Sequence, residues 1–196
     1  MVRYDKQHKE ATRSRIVESA GRRLKQDGID GSGVAVLMKD AGLTNGAFYA
    51  HFDSKDSLVA EVVASELAAQ LDRYDSLPQG REGVEEMIRQ YLSVEHRDNP
   101  SEGCPSASLL DEIARSTPAT RQAYTDGATA LVDALTRRLS GDDGSGEPCL
   151  QARARAFSAY ALMVGTMQFA RALTDDELSR AVIAQGLADV LAMLDR

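Results

Sequence analysis

The chain contains no tryptophan, four phenylalanines and six tyrosines, so aromatics make up only 5% of its 196 residues. A core with so few rings has to be built from Leu, Ala, Val and Met. Cysteine is equally scarce: only Cys104 and Cys149 are present. Neither a Cys-x-x-Cys nor a His-Glu-x-x-His pattern occurs, so no metal site is indicated by spacing. A site made from His96, Cys104 and Cys149 would rest on no recognisable pattern, and His8 and His96 read as solvated. No apolar run approaches the roughly 20 residues of a membrane helix. The segment Met1-Val-Arg-Tyr-Asp-Lys6 lacks the apolar stretch of a secretory leader. The expectation is a cytoplasmic protein without membrane contact, where a structural disulfide is disfavoured. No cofactor is expected either: Gly28, Gly31 and Gly33 follow a helix rather than a strand and lack dinucleotide-loop spacing.

Net charge is -7, which taken alone argues against a nucleic-acid partner. Its distribution argues the other way. Residues 1–60 hold 10 Lys/Arg against 8 Asp/Glu, and the first 25 hold 8 against 3. The remainder is strongly acidic. A basic end on an acidic body suits a protein that meets DNA at one end only.

Residues 41–58, Ala-Gly-Leu-Thr-Asn-Gly-Ala-Phe-Tyr-Ala-His-Phe-Asp-Ser-Lys-Asp-Ser-Leu, carry the most information. Gly42 stands where a helix must stop and reverse. Thr44 is placed to cap the next helix, expected over Asn45–Phe52. Phe48 and Phe52 lie four apart, which buries one face. The other face carries Asn45, Tyr49 and His51, groups suited to phosphate oxygens and base edges. Ser54 caps a further helix. Lys55 falls in that helix's first turn, where a cation opposes the dipole unless an anion binds nearby.

Helical spacing extends along the rest of the chain. The first helix spans about 7–26, with Ile16, Val17, Ala20 and Leu24 inward, and a second runs over 34–41. The helix from Ser54 reaches about residue 74. Body helices follow at 82–96, from Pro105, from Pro118 to about 139, at 149–173 and at 174–194. Thr174 is the expected cap of the last, and Pro105 and Pro118 are first-turn prolines. No strand pattern is visible, so the fold class is all-α with about nine helices.

The 41–58 pattern resembles the DNA-binding head of the TetR family of one-component transcriptional regulators. The resemblance implies a helix-turn-helix head, about 1–55, on an effector-binding and dimerisation body, about 56–196. The helix at about 54–74 joins them and is the natural lever. It further implies that Tyr49, His51 and Lys55 bind phosphate, and that Thr44, Asn45, Gly46 and Ala47 approach the DNA. Gly33 and Ala50 depart from the common family pattern. At Gly33 many relatives have a hydroxyl residue, and Ser32 is the nearest substitute. The implied partners are a palindromic operator in double-stranded DNA, a second copy paired through about 149–194, and a small-molecule effector. Alanine-rich stretches and Gly186 fit close helix pairing. The effector cavity is expected beside Met87, Tyr91, Cys104, Tyr124, Tyr160, Met163 and Met167.

Cys104, between Gly103 and Pro105, begins a body helix, where the dipole favours thiolate, although Glu102 opposes it. It reads either as a small buried hydrophobe or as a sensor of electrophiles or oxidants. The rival class is a small helical enzyme with Cys104 as nucleophile and His96 or His51 as base; the DNA-binding reading is that of a non-enzyme. A helical scaffold protein would leave the basic end unexplained.

Overall fold

The computed structural model describes residues 2–140 and 150–194, with side chains from residue 7 onward in the first stretch and up to 139. Cys149 and the segment between the helices expected to end near 139 and begin at 149 lie outside the described residues, from 141 on. Nine α-helices and two 3-10 turns occur among the described residues, and no strand.

Helix α1 (Val2–Asp27) buries Ile16, Val17, Ala20 and Leu24. It ends at Gly28, whose φ of 82° is open to glycine at low cost. Helix α2 (Val34–Asp40) turns Leu37 and Met38 inward. It closes on Gly42, φ 69°, with the Leu43 amide donating back to the Met38 carbonyl at 2.8 Å. This is the Schellman closure that a left-handed residue permits. The segment expected as a third α-helix is a 3-10 turn, Asn45–Ala50. Thr44 has extended backbone there but makes no side-chain cap bond. Glycine and asparagine at the start, with two bulky rings to bury, favour a short tight turn over a long helix.

Ser54 does cap α3 (Lys55–Asp75), through a reciprocal box with Ser57. Helices α4 (Gly80–Tyr91), α5 (Val94–Asp98) and a 3-10 turn at Pro100–Glu102 occupy the span expected as one helix and a loop. Pro105 and Pro118 open α6 (Pro105–Arg115) and α7 (Pro118–Ser140). Helices α8 (Leu150–Ala172) and α9 (Asp176–Leu194) complete the body. The cap of α9 is Asp175, whose carboxylate accepts from the Leu178 amide at 3.1 Å, rather than Thr174.

Two apolar cores result. The first joins α1, α2, the 3-10 turn and the N-terminal half of α3, and it runs on into Leu109 and Ile113 of α6 and Leu131 of α7. The second fills the body between α4, α6, α7, α8 and α9. Helix α3 packs most extensively on α7, and α8 on α9. Gly127 permits the first approach: a Cβ there would lie 2.6 Å from Leu67. Gly186 permits the second, since a Cβ would meet Thr166 at 2.5 Å. Gly186 therefore serves packing within the chain and is not on an outward face.

Candidate functional site

In the head, Phe48 and Phe52 stack with centroids 5.7 Å apart, and both are buried. Their burial turns the opposite side of the short turn outward. Tyr49 is 73% exposed, and Thr44, Asn45, Gly46 and Ala50 are exposed with it, while Ala47 is half-buried. A Cβ on Gly46 would meet nothing within 4 Å, so no contact within the chain requires a glycine there.

His51 lies at the edge of this surface, half-buried, with its Nδ1 unpaired. Burial and then the neighbouring Lys9 and Arg13 hold its pKa below the ordinary value. Its carbonyl accepts from Arg13, whose guanidinium also bonds Glu61 and lies 4.1 Å over the Phe52 ring. Arg13 thus locks the turn onto α1 and α3, a role sequence spacing did not disclose. Ser32 is fully buried with an unpaired hydroxyl, so it cannot stand in at the surface for the hydroxyl missing at Gly33.

Lys55 has a partner within the chain. Its ammonium donates to the Ile29 carbonyl at 2.5 Å, which accounts for a cation in a first helical turn without any anion. The Ile29 amide in turn donates to the Glu112 carboxylate of α6, which also accepts from the Asp30 amide at 3.2 Å. A second link runs from the head at Lys25. This buried ammonium pairs with Glu66 at 2.7 Å and donates to the Gly103 carbonyl at 3.1 Å. Helix α6 is therefore tied to the head at both of its ends, in addition to the continuous helix α3. These partners lie far apart in the sequence and carry no motif.

The body contains a cavity of about 730 Å³ between α3, α4 and the α5–α6 segment. Met87, Tyr91 and Cys104 line it, with Gln70, Tyr74 and His96. Tyr124, Tyr160, Met163 and Met167 do not. Met163 and Met167 are packed into the body core. Tyr124 and Tyr160 spend their hydroxyls on Ser106, at 3.0 and 2.8 Å.

His96 is not solvated. Its Nδ1 donates to the Tyr91 carbonyl at 2.7 Å, and its Nε2 accepts from the Cys104 amide at 3.1 Å. Burial lowers its pKa to about 4, so the ring is neutral at pH 7 with both nitrogens engaged. Cys104 is 3% exposed at the N-cap of α6, with its Sγ 3.9 Å from the Tyr160 hydroxyl. Arg171 of α8 braces this corner by donating to the carbonyls of His96, Arg97 and Ala107 at 2.6–3.1 Å.

The outward side of α8 carries exposed apolar and small residues, continued at the start of α9. Phe157 and Phe169 are 44% and 58% exposed, with Ala161 and Gly165 between them, and Leu178 of α9 is 50% exposed. A Cβ on Gly165 would meet nothing within 4 Å.

Among the described residues no group of acidic, His or Cys side chains could hold a metal ion, and no helix is long and apolar enough to cross a membrane.

Residues 16–62 match the family described as bacterial regulatory proteins, tetR family. The HTH-type transcriptional repressor NemR of Escherichia coli K12 is 26% identical over 165 residues, 79% of this chain and 81% of that protein. The HTH-type transcriptional regulator AcrR of Shigella flexneri is 37% identical over 62 residues, 32% of this chain and 29% of its own length. The solved structure of reduced E. coli NemR superposes with a TM-score of 0.76 at 24% identity, over 92% of this chain and 95% of that one. The head segment of the chain therefore matches the tetR family of bacterial regulatory proteins, and the chain as a whole shares the fold of the NemR structure.

Proposed function

We propose that this chain is a cytoplasmic, homodimeric, sequence-specific DNA-binding regulator, a repressor released from a palindromic operator by a small molecule. The observation that carries the reading is the outward polar face of the Asn45–Ala50 turn, presented by the burial of Phe48 and Phe52. On this reading Tyr49, His51 and Lys55 hold phosphates. The ammonium of Lys55 has three donors, so it can keep the Ile29 carbonyl and still reach a phosphate oxygen. Thr44, Asn45, Gly46 and Ala47 face the major groove, and Asn45 can pair with adenine. The exposed apolar stripe of α8 and α9 is covered by a second copy, which gives the mid-helix Gly165 a use in close approach. A glycine in that position otherwise costs about 1 kcal/mol relative to alanine.

The effector occupies the cavity beside Met87, Tyr91 and Cys104. Its arrival shifts α6, and with it the Lys25 and Glu112 ties, toward a head spacing that no longer matches the operator. The chain is not an enzyme on this reading: both nitrogens of His96 are engaged, so Cys104 has no free base there. The test is an electrophoretic shift on the DNA upstream of the protein's own coding region, with footprinting. A protected palindrome is expected; binding equal to that of random DNA would overturn the reading.

A second reading concerns how release occurs. Cys104 lines the cavity at a helix N-cap, and the chain is similar to a repressor solved in a reduced form. Addition of the Cys104 thiol across an electron-poor C=C bond, in which the C–S bond replaces the π bond and the neighbouring carbon takes up the proton, would enlarge the wall of the cavity. Native alkylation followed by DNA release, lost in Cys104→Ser, is the expected result. A thiol inert in the native protein leaves reversible binding as the release mechanism.

A further inference from the structure

The carboxylate of Glu112 on α6 is spent on backbone. One of its oxygens accepts from the Ile29 amide and from the Asp30 amide, the latter at 3.2 Å. Arg115, one turn on in the same helix, pairs with Asp111 at 2.5 Å instead. The receiving loop is shaped for this group. The two amides follow Gly28, whose φ of 82° lies in the left-handed region. Consecutive amides at such a turn form a small anion-binding concavity. A Cβ on Gly28 would run into the same carboxylate, so the glycine leaves room for it.

The Asp30 amide and the Ile29 carbonyl belong to one peptide group. That peptide is trans, so its N–H and C=O point to opposite sides. Glu112 meets the N–H side, and the Lys55 ammonium of α3 donates to the C=O at 2.5 Å. The other donor to that carbonyl is the Ser32 amide, at a longer 3.4 Å. A carboxylate thus faces the positive end of the peptide dipole and an ammonium the negative end. Each charge polarises the peptide in the sense that strengthens the other's hydrogen bond. Lysine has a flexible four-carbon stem. A fixed acceptor at its end removes much of that freedom before any phosphate arrives, which lowers the ordering cost of binding.

We infer that Glu112 is a positioning residue for the DNA contact of Lys55. Through the Ile29–Asp30 peptide it holds the ammonium where a phosphate oxygen can take one of the remaining donors. This rests on the reading of Lys55 as a phosphate ligand, and it gives a body residue control over an interface it does not touch. A displacement of α6 that withdraws Glu112 loosens Lys55.

The experiment is a double-mutant cycle of Glu112→Ala and Lys55→Ala in the full chain, with operator affinity measured over a series of salt concentrations. Glu112→Ala should weaken operator binding about fivefold, the effect of one hydrogen bond. It should also lower the salt slope by about half a unit or more, against about 0.9 for Lys55→Ala. In the Lys55→Ala background the same change should alter affinity by less than about twofold, because the group it acts through is gone. Glu112→Gln keeps an acceptor oxygen for both amides and should restore the wild-type slope. Should Glu112→Ala fail to fold, Glu112→Asp, one methylene too short to reach, takes its place with the same expectations. A further measurement needs no DNA: NMR order of the Lys55 side chain in protein carrying 13C-labelled lysine. Lys55 should be ordered in the wild type and fall to the mobility of the exposed Lys39 in Glu112→Ala.

Additive losses in the cycle overturn the inference. So does an unchanged salt slope in Glu112→Ala, or a Lys55 side chain equally ordered with and without Glu112. The two arms keep the failures apart. A wild type that binds no operator, while Lys55 still loses its order in Glu112→Ala, overturns the regulator reading and keeps the tie between the two residues. Operator binding with additive losses keeps the regulator and removes Glu112 from its interface.

Discussion

In the head, the groups proposed to meet DNA sit within residues 44–55, and their placement follows from neighbours a turn away. Phe48 and Phe52 go in, so Tyr49 comes out, and Ser54 caps the helix that begins with Lys55. In the body, the groups around the cavity come from residues 70 to 104 and are held by partners still farther off. Arg171 reaches back to the His96 carbonyl, and Lys25 reaches forward to that of Gly103. One surface is local and repeats as a motif. The other is assembled by packing and leaves no pattern in the chain. The difference teaches where damage should be confined to one function and where it should spread.

The largest expected effect breaks the comparison from outside both regions. Phe169→Glu places a charge on the apolar face of α8 without touching the head or the cavity. If a second copy covers that face, the variant should sediment as a monomer and lose operator affinity by about 100-fold or more, because the two heads no longer bind as one unit. A dimer of unchanged affinity would place the interface elsewhere.

Next is the buried tie between the regions. Lys25→Met leaves Glu66 without its cation beside an unpaired Gly103 carbonyl. Breaking a buried pair from one side costs about 3 kcal/mol, and urea unfolding should show it. A loss below about 1 kcal/mol would mean that the pair is solvated in practice.

The cavity corner has its own pH signature. His96 is held neutral, with its pKa near 4 against an ordinary 6.5. As pH falls from about 6.5 to about 4, the unfolded chain takes up a proton that the folded chain refuses. Stability should therefore decline over that window, by up to about 3 kcal/mol. His96→Gln should flatten the decline, and operator binding at pH 7 should be little changed if the two regions are separable. An identical pH profile in the variant would assign the decline to other groups.

The smallest effects sharpen the head. Lys55→Ala should lower the salt slope of operator binding by about 0.9, as expected for one lost phosphate contact. Tyr49→Phe should weaken operator and random DNA alike, by roughly three- to tenfold for one hydrogen bond. Neither should alter ligand binding in the cavity. A slope unchanged in Lys55→Ala would leave that lysine with its Ile29 carbonyl alone.

Much of the fold was legible in the sequence because helix periodicity, Pro105, Pro118, Gly42 and the Ser54 cap are local signals. The errors came where local signals compete. The Asn45–Ala50 turn tightened to a 3-10 form, and Asp175 rather than Thr174 caps α9. A Thr or Asp in the right place is only a candidate until the backbone chooses between them.

By itself, the sequence determined the all-α class, the family pattern of the head segment and the outward face of the head, since each depends on residue types a few positions apart. The tertiary structure decided the rest. It sealed Gly186 between α8 and α9 and left Gly165 outside. It removed Tyr124, Tyr160, Met163 and Met167 from the cavity wall and put Gln70, Tyr74 and His96 there. It also gave Lys55 its partner within the head, and Lys25 and Glu112 theirs across the head–body boundary. Those outcomes turn on which helix packs against which, a property of distances between segments remote in the chain, and helical periodicity specifies a buried face without naming its neighbour.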